Sequence, residues 1–395
     1  MDRISVEEYA DRIAALVADP DRGTSTVDLR DALDRVTADA VSTSIDLPPF
    51  RNSQMDGYAV RVADLPADGA AVLVGSTTAA GDAGATLPSG GAIKVMTGAP
   101  LPVDADAVVP VERVERLDDG SIRIRAAVHA GDYVREPGSD APAGTVVVPP
   151  RTRLRPRHLA AIAAAGVAAV TVTRRVRVAV VSTGRELVEV GAELGPGQLP
   201  DANAIALAAA AAADGAEVVH VGRAPDDAEA VAREVEAARA AGAHLVVTSG
   251  GISMGDFEPV RALLGEHGGT IGTVEMQPGG PQAHGSIRGL PILAFPGNPV
   301  SAQVSYALFL SPLLRAWAGL PPAVRRRLAL AEPVAVPPGR RRFLRARLDE
   351  RGAVVPIGGT GSHLVTAMAA ADVLIDLPPQ FGDLPAGALV DTVEL

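Results

Sequence analysis

The sequence predicts a multidomain α/β protein whose central domain has three layers built on a parallel sheet. Between Arg177 and Leu314, apolar β-branched runs alternate with helical patterns, which is typical of a parallel sheet covered by helices on both faces. On either side, residues 48–135 and 328–395 contain short β-like runs interrupted by Pro and Gly, which indicates smaller β-rich units.

Composition limits the classes of protein that this chain can represent. The chain has 395 residues, of which 47% are hydrophobic, and a net charge of −11, which argues against a nucleic-acid partner. It has no cysteine, which excludes disulfides, thiolate catalysis and Cys-ligated metals and makes a cytoplasmic location the default. The sequence has no uncharged apolar run long enough to predict a membrane span. The acidic, amphipathic N-terminal segment argues against a signal peptide. Lys94 is the only lysine.

The first 173 residues predict a helical domain, an inserted β-rich unit and a segment in which the chain returns to the helical domain. Residues 2–40 carry a helical pattern of apolar positions, and a second helix is predicted over residues 156–165. Residues 137–148 and this second helix suggest that the chain leaves a first domain and comes back to it. Strands of the intervening unit are predicted over residues 71–74, 107–111 and 121–124.

The central domain follows from regular alternation. Strands are predicted over residues 178–181, 217–221, 244–247 and 291–295, and helices over residues 202–213, 226–241, 259–267 and 299–314. Pro321-Pro322 and the basic run at residues 325–327 then mark a linker. The remainder predicts a small β-barrel or sandwich.

The loop Thr248–Glu258 is the most informative segment of the chain. It follows a buried strand and contains two adjacent glycines, which let backbone N–H groups approach an anion. Asp256 and Glu258 in the same loop do not suit a simple phosphate cradle. They indicate a divalent metal or a carboxylate that takes part in chemistry.

Three other predicted strand ends also carry polar residues. These are Ser182–Glu186, Asp226-Asp227 and Phe295–Ser301. Each has a structural alternative: a turn, an N-cap of the next helix by Asp226, or a rigid Pro-Gly-Asn-Pro entry to a helix. Because ligands of parallel sheets bind at the carboxyl ends of the strands, all four ends together predict a binding site there.

Two loops of the β-rich unit are also unusual. Asn52, Ser53, Asp56 and Gly57 lie close together before a Tyr-Ala-Val strand, and Thr97-Gly98 precedes an acidic strand entry. From the residues alone, turn formation is the favoured explanation of each loop.

Five segments in this order carry a resemblance to a known family. They are NSQMDGYAV from Asn52, KVMTGAPLPVDADAVV from Lys94, VSTGREL from Val181, SGGISMGD from Ser249 and FPGNPVSA from Phe295. Together they resemble the molybdopterin molybdenumtransferases of the MoeA type, which include the C-terminal part of gephyrin. The resemblance runs from about Glu7 to the end of the chain.

The resemblance implies an architecture and an activity. It implies an elongated, discontinuous helical linker and dimerisation domain (residues 1–45 and 136–173) with an inserted β domain (46–135). A molybdopterin-binding α/β domain (174–324) and a C-terminal β-barrel (325–395) follow. The implied reaction inserts molybdate into adenylylated molybdopterin, releases AMP and uses Mg²⁺. The implied assembly is a homodimer whose active sites combine two chains, with possible contact to the upstream molybdopterin adenylyltransferase.

The resemblance also implies roles for particular residues. The implied catalytic residues are Asp56, Thr97, Glu186, Asp226 and Glu258, of which Glu186, Asp226 and Glu258 are the implied metal ligands. The implied substrate-binding residues are Ser182, Thr183, Gly184, Ser249, Gly250, Gly251, Ser253, Pro296, Gly297, Asn298, Pro299, Ser301 and Ser362.

The chain departs from the family pattern in its charges. Arg185 stands where an acidic residue is usual, and Glu258 where Asp is frequent. Residues 273–281 lack the lysines that many members have there and offer Thr273 and Gln277 instead. Arginines at 340–342 and Arg345 could supply the missing charge, although an exposed basic turn is the favoured explanation of them.

Two other functions compete with molybdenum insertion. An adenylyltransferase that makes the adenylylated pterin would use the same type of α/β domain, but it would not need residues 2–173 and 325–395. A non-catalytic pterin-binding scaffold would not need convergent carboxylates.

Overall fold

The computed structural model describes residues 3–18, 20–67, 69–253 and 258–395. The chain folds into two compact units, Ser25–Val172 and a second unit that joins the residues up to Thr24 to Thr173–Leu395. Asp256, singled out by the sequence, lies outside the described residues.

The N-terminal helix is much shorter than the pattern over residues 2–40 predicted. Strand β1 (Arg3–Ile4) precedes helix α1 (Val6–Leu16), and the hydroxyl of Ser5 caps the helix by accepting a bond from the backbone N–H of Glu8. Beyond it, Gly23 has a positive φ and the β-branched segment Thr24–Asp28 forms strand β2. Local β propensity and a glycine turn therefore override the helical spacing there.

The unit Ser25–Val172 is built mainly from short strands. Its elements after β2 are β3 (Val41–Ser42), β4 (Asn52–Ser53), β5 (Gly57–Val60), β6 (Leu73–Thr78), β7 (Gly91–Val95), β8 (Ala107–Pro110), β9 (Val114–Arg116), β10 (Ile122–Ile124), β11 (Val134–Arg135), β12 (Val146–Val148), α2 (Pro156–Ala164) and β13 (Ala169–Thr173), with 3₁₀ turns at Leu29–Asp31, Val62–Asp64 and Val111–Arg113. The centre of the unit is a four-stranded sheet in the order β6-β7-β5-β8, while β2 pairs with β13 and β3 pairs with β12.

The second unit contains the predicted strand and helix alternation. Its elements are β14 (Arg177–Thr183), β15 (Leu187–Val188), β16 (Leu199–Pro200), α3 (Ala202–Ala213), β17 (Glu217–Ala224), α4 (Ala228–Ala240), β18 (Leu245–Ser249), α5 (Pro259–Glu266), β19 (Thr270–Val274), β20 (Met276–Gln277), β21 (Pro281–Ile287), β22 (Leu290–Phe295), α6 (Pro299–Ser305), a π-helical turn (Tyr306–Leu310), α7 (Ser311–Trp317), β23 (Arg325–Ala329), β24 (Arg341–Leu348), β25 (Val354–Pro356), α8 (Val365–Ala369), β26 (Val373–Leu377) and β27 (Leu389–Glu394).

The main sheet is mixed rather than purely parallel. Its strand order is β1-β19-β21-β22-β18-β14-β17, and the four predicted strands β22, β18, β14 and β17 run parallel to one another. Strand β21, which the sequence analysis did not predict, is antiparallel to β22 and to β19. Arg288 and Gly289 join β21 to β22 with positive φ at both residues, which matches a tight hairpin turn.

Both faces of the main sheet are buried, as predicted for its parallel strands. Along β14, Val178 and Val180 pack with Leu207 of α3, whereas Ala179 and Val181 pack with Val235 of α4. Alternate residues thus face opposite helical layers, and the strand is buried on both sides. This layering leaves the carboxyl ends of the strands free to carry loops.

The C-terminal strands form a six-stranded sheet in the order β20-β24-β26-β27-β23, with β25 added on β24. Among the described residues the pairing is an open path, so barrel closure stays a prediction. Strand β20 belongs to this sheet, because Gln277 pairs with Arg342 of β24. Within the described ranges, no helix is long and apolar enough to cross a membrane.

Candidate active site

The carboxyl ends of the parallel strands open into one cleft in the second unit. Its volume is about 880 Å³, within the range of pockets that enclose small molecules. Of the residues predicted to form a site, those that line this cleft are Thr183, Gly184, Glu186, Asp226, Ser249, Gly250, Gly251, Ser253, Glu258, Pro296, Gly297, Asn298, Pro299, Ser301 and Ser362.

The floor of the cleft is close-packed backbone. A Cβ on Gly250 would lie 2.6 Å from the carbonyl oxygen of Thr183, and one on Gly251 would lie 2.9 Å from the Thr183 hydroxyl. A Cβ on Gly297 would lie 3.2 Å from the Cα of Gly250. Gly250 and Gly251 also have positive φ. Glycine is therefore required sterically here, and main-chain atoms rather than side chains face the cleft.

Ser182 has a different environment from its neighbours. It is fully buried, and its hydroxyl donates to a carboxylate oxygen of Asp201 at 3.0 Å. The same oxygen of Asp201 accepts the backbone N–H of Ala204 and so caps α3. The structure thus gives the Ser182 hydroxyl a place in the support of α3 rather than in the lining of the cleft.

The three predicted metal ligands all line the cleft, each on a different loop. The carboxylate of Glu186 lies over Gly184, where a Cβ would meet it at 2.6 Å. Asp226 accepts the backbone N–H of Arg185 at 3.4 Å, and Glu258 accepts that of Ser253 at 2.7 Å.

The N-cap alternative for Asp226 is wrong. The side chain of Asp227 accepts the backbone N–H groups of Glu229 and Ala230, so Asp227 is the residue that caps α4. Asp226 is therefore not needed as a cap, and it lines the cleft. Among the described residues, however, no group of three or more His, Asp or Glu side chains is close enough to hold a metal ion.

Asn203 joins two loops of the cleft and was missed by the sequence analysis. Its amide nitrogen donates to the Ser249 hydroxyl at 2.6 Å and to the Gly297 carbonyl at 2.7 Å. Its amide oxygen is buried and has no hydrogen-bond partner. The one available signal was that Asn203 is the only polar residue within the alanine-rich helix α3.

Arg345 supports the loop that carries Ser362. The arginine is 3% exposed, and its guanidinium donates to the carbonyls of Gly361 at 2.8 Å and Gly359 at 2.6 Å. Burial holds the pKa of Arg345 below its usual range. The Ser362 carbonyl in turn accepts the backbone N–H of Val300, which fixes this loop against α6.

The other candidates for replacing the missing lysines are divided between the cleft and other parts of the second unit. Gln277 lines the cleft, whereas Thr273 lies within the main sheet, in register with Arg3 of β1. Arg341 pairs with both carboxylate oxygens of the buried Asp376 and with Glu7. Arg341 is therefore part of an ion-pair network. Of the three arginines at 340–342, Arg340 is the exposed one, so the interpretation as an exposed basic turn fits Arg340 alone.

A second predicted group lies in the unit Ser25–Val172. Thr97 donates its backbone N–H at 2.7 Å and its hydroxyl at 2.9 Å to one carboxylate oxygen of Asp56. These two bonds, with a smaller contribution from Lys94, hold the pKa of Asp56 below its usual range. Both residues are exposed. Gly57 is required beside them, since a Cβ there would lie 2.4 Å from the Val109 carbonyl oxygen.

Three family models match the chain in sequence order. Residues 4–166 match the MoeA N-terminal region (domain I and II), residues 179–316 match a probable molybdopterin binding domain, and residues 327–395 match the MoeA C-terminal region (domain IV). The match to the probable molybdopterin binding domain includes every residue that lines the cleft except those at positions 360–365.

Whole-chain relatives agree with these matches. Molybdopterin molybdenumtransferase 2 of Mycobacterium tuberculosis is 39% identical, covering 94% of this chain and 95% of its own. Molybdopterin molybdenumtransferase of Haemophilus influenzae is 34% identical over 94% and 93%. The crystal structure of the molybdopterin biosynthesis MoeA protein from Pyrococcus horikosii superposes with a TM-score of 0.83 at 32% identity, over 100% of this chain and 99% of that one. The chain therefore belongs to the family of the molybdopterin molybdenumtransferases and has the MoeA multidomain fold.

Proposed function

We propose that this chain inserts molybdate into adenylylated molybdopterin and releases AMP, giving the molybdenum cofactor. One observation carries the proposal. In this chain, which is related to the molybdopterin molybdenumtransferases, glycine loops and three carboxylates from separate strand ends line a single cleft. A nucleotide-linked pterin brings phosphate groups, which need close backbone approach. Gly250, Gly251 and Gly297 provide that approach because they carry no side chains.

The donor set of the cleft fits Mg²⁺. Glu186, Asp226 and Glu258 offer hard oxygen ligands, and Mg²⁺ in phosphate-binding sites is usually held by one or two carboxylates together with substrate phosphates. A site completed by the substrate also agrees with the lack of a ready group of three ligands among the described residues. When bound, Mg²⁺ would neutralise charge on the phosphoanhydride.

The carboxylates and hydroxyls of the chain would then orient the substrate. Ser253 and Glu258 are already linked by a hydrogen bond of 2.7 Å, so the glycine loop and the start of α5 hold one another in place. Ser362 and Ser301 offer hydroxyls from two further sides of the cleft. Such positioning of two reactants can lower the barrier of a transfer reaction substantially.

The proposal includes the finer architecture and the assembly. It divides the chain into residues 1–45 with 136–173, residues 46–135, residues 174–324 and a barrel over residues 325–395. It also includes a homodimer in which Asp56 and Thr97 of one subunit complete the cleft of the other. The proposed protein partner is the upstream molybdopterin adenylyltransferase, which would deliver the adenylylated pterin.

The test is AMP release from adenylylated molybdopterin. We expect release to require both molybdate and Mg²⁺, measured by separating AMP after incubation with each component omitted in turn. Equal release without molybdate would show that hydrolysis is not coupled to insertion. Formation of the adenylylated pterin from ATP and molybdopterin would favour an adenylyltransferase, and binding without turnover would favour a scaffold.

A further inference from the structure

The second unit contains another cavity besides the cleft, which we call the α3 cavity. Its volume is about 500 Å³, within the range of pockets that bind small molecules. Among the described residues, it shares no lining residue with the cleft. Its apolar wall includes Ala206, Leu207, Ala210 and Ala213 of α3, Ala307 of the π-helical turn and Met368 of α8. Because alanine side chains are small, this wall leaves room for the flat apolar body of a ligand.

Two charged residues of the α3 cavity neutralise one another. Asp214 is 6% exposed, and it accepts the Arg315 guanidinium at 2.8 Å and the Tyr306 hydroxyl at 2.8 Å. Arg315 also donates to the Pro321 carbonyl at 2.9 Å. Internal partners therefore hold this arginine, and its charge is already balanced by Asp214 before any anion could use it.

Three other polar residues of the cavity have no such partners. Ser311 is 8% exposed, and its hydroxyl makes no hydrogen bond with any described residue. Within the described ranges, the side-chain amide of Gln303 makes none either. Glu394 is exposed and forms no ion pair in the described parts of the chain. Because a buried hydroxyl without a partner is costly, Ser311 indicates a ligand with polar atoms, and Glu394 leaves the lining negatively charged.

Three helices line both the α3 cavity and the cleft. On α3, Asn203 lines the cleft, and Leu207 lines the α3 cavity about one helical turn later. Asn203 is also the residue that joins Ser249 to Gly297. The corresponding pairs are Ser301 and Gln303 on α6, and Val365 and Met368 on α8. A molecule in the α3 cavity thus contacts the helix that holds two loops of the cleft.

We propose that the α3 cavity binds a small organic cation with a flat apolar body, and that this ligand steadies the cleft through α3. Glu394 attracts the charge of the cation, Ser311 and Gln303 offer hydrogen bonds to its polar atoms, and the alanines of α3 contact its apolar body. The site is separate from the one that takes the pterin substrate, so the inference goes beyond the proposed function and does not depend on it.

The experiment uses two fluorescent dyes of opposite charge on the full chain. Thioflavin T is a flat aromatic cation, and anilinonaphthalene sulfonate is an apolar anion of similar size. We expect thioflavin T to bind saturably, at one site per chain, and at least about ten-fold more tightly than the anion. The absence of saturable thioflavin T binding would overturn the proposal, and equal affinities would overturn the assignment of a cation.

A variant that fills the cavity places the dye. Ala210→Leu adds bulk to the apolar wall and should weaken thioflavin T binding by at least about ten-fold. Ala212→Leu is the matched control, because Ala212 lies on the same helix but is exposed and does not line the cavity. Equal affinities in the wild type and in Ala210→Leu would show that the dye binds elsewhere, and would contradict the proposal.

A charge reversal at the exposed Glu394 tests the sign without disturbing the core. Glu394→Lys should weaken binding of the cationic dye and strengthen binding of the anionic dye, whereas a structural lesion would weaken both. Glu332→Lys changes the net charge equally at an exposed residue outside the cavity, so it should alter neither affinity. The same response from both variants would mean that net charge, and not the α3 cavity, selects the dye.

Amide hydrogen exchange tests the link to the cleft. We expect saturating thioflavin T to slow exchange in segments 249–251 and 296–298 by at least about two-fold in the wild type. Ala210→Leu should show no such change at the same dye concentration. Unchanged exchange in the wild type at saturation would overturn the link through α3. None of these measurements uses molybdate-dependent AMP release, so the proposed function succeeds or fails separately.

Discussion

Thr97 directs two hydrogen-bond donors at a single carboxylate oxygen of Asp56. The backbone N–H lies 2.7 Å and the hydroxyl 2.9 Å from that oxygen, although the two residues are 41 positions apart. Donors of this kind stabilise the charged form of a carboxylate. The pKa of Asp56 therefore lies below its usual range, and Lys94 adds to the effect.

Removing the hydroxyl of Thr97 should change the pH profile of the enzyme. Thr97→Val keeps the shape and the backbone N–H but loses one donor, so the pKa of Asp56 should rise. We expect the acidic limb of kcat/KM for AMP release to move toward neutral pH. Thr97→Ser, which keeps the hydroxyl, should retain the wild-type profile. A Thr97→Val profile identical in shape would mean that Asp56 does not titrate in this limb.

Asn203 should be a positioning residue for the cleft. Asn203→Ala removes two hydrogen bonds, each contributing about 0.5–1.5 kcal/mol, and so weakens the connection between Ser249 and Gly297 that runs through its side chain. We expect the affinity for ADP, a probe for a phosphoanhydride nucleotide, to fall in Mg²⁺ on the order of ten-fold, measured by titration, with the fold retained.

A double-mutant cycle separates this role from general destabilisation. Ser249→Ala removes only one of the two acceptors of Asn203 and should have the smaller effect. The double variant should lose less than the sum of the single losses, since the residues are in direct contact. Strict additivity would show that the hydrogen bond between them does not hold the loops.

The sequence predicted the parallel strands well and the β21 hairpin not at all. Strand β18 was recognisable because a short run of apolar, β-branched residues is typical of a strand that is buried on both faces. Strand β21 contains Gln282, His284 and Gly285, whose side chains give no such pattern. Its position depends on pairing with β22 through the tight turn at Arg288 and Gly289.

The site was predictable to the extent that it lies at strand ends. The rule that ligands bind at carboxyl ends pointed to Gly250 and Gly297 from local sequence. It could not point to Asn203, whose bonds reach residues 46 and 94 positions away. Arg345 was seen as a possible cation for the substrate, whereas its buried guanidinium organises a loop instead.

Replacing Arg345 should disorganise the loop that carries Ser362. Arg345→Lys keeps the charge but cannot reach several carbonyls with one planar group. We expect KM for the adenylylated pterin to rise, and kcat/KM to fall on the order of ten-fold or more. Arg342→Lys is the matched control on the same strand, because the Arg342 side chain donates to the exposed Pro337 carbonyl at 3.3 Å. Equal losses in both variants would contradict this role.

His284 should make the second unit sensitive to acid. It is 8% exposed and packs edge-on against Tyr9 with ring centroids 5.3 Å apart. Burial, with a smaller contribution from Arg12, holds its pKa below the usual value. The unfolded chain therefore binds the proton more readily, so this stability is present above about pH 6.5 and is lost as pH falls through the folded pKa.

Trp317 offers a fluorescence probe for this loss of stability. It is the only tryptophan of the chain, and it packs against the hydrophobic core that contains Tyr9, the residue in contact with His284. We expect His284→Asn to lower stability at pH 7 but to flatten the decline between pH 7 and 5, by up to roughly 1.4 kcal/mol per pH unit. The readout is urea unfolding followed by fluorescence. His129→Asn, at an exposed histidine, should leave the slope unchanged. An unaltered slope for His284→Asn would show that His284 stays neutral in both states.

The last prediction tests whether two chains build each active site. Asp56 lies in the unit Ser25–Val172 and Glu258 in the other unit. Asp56→Asn and Glu258→Gln should each be inactive alone. In a mixed two-fold dimer with composite sites, one site carries both lesions and the other carries neither. Random subunit exchange makes about half of the dimers mixed, so activity should recover to about a quarter of wild type.

Mixing Asp226→Asn with Glu258→Gln is the matched control for this complementation. Both residues line the cleft of one chain, so every site in a mixed dimer carries a lesion and no activity should return. Exchange is verified by co-purification of differently tagged subunits. If exchange is complete and the Asp56→Asn and Glu258→Gln mixture stays inactive, then Asp56 either acts in the same chain as Glu258 or lies outside the site. If it recovers while the control does not, the partner's loop must complete the cleft.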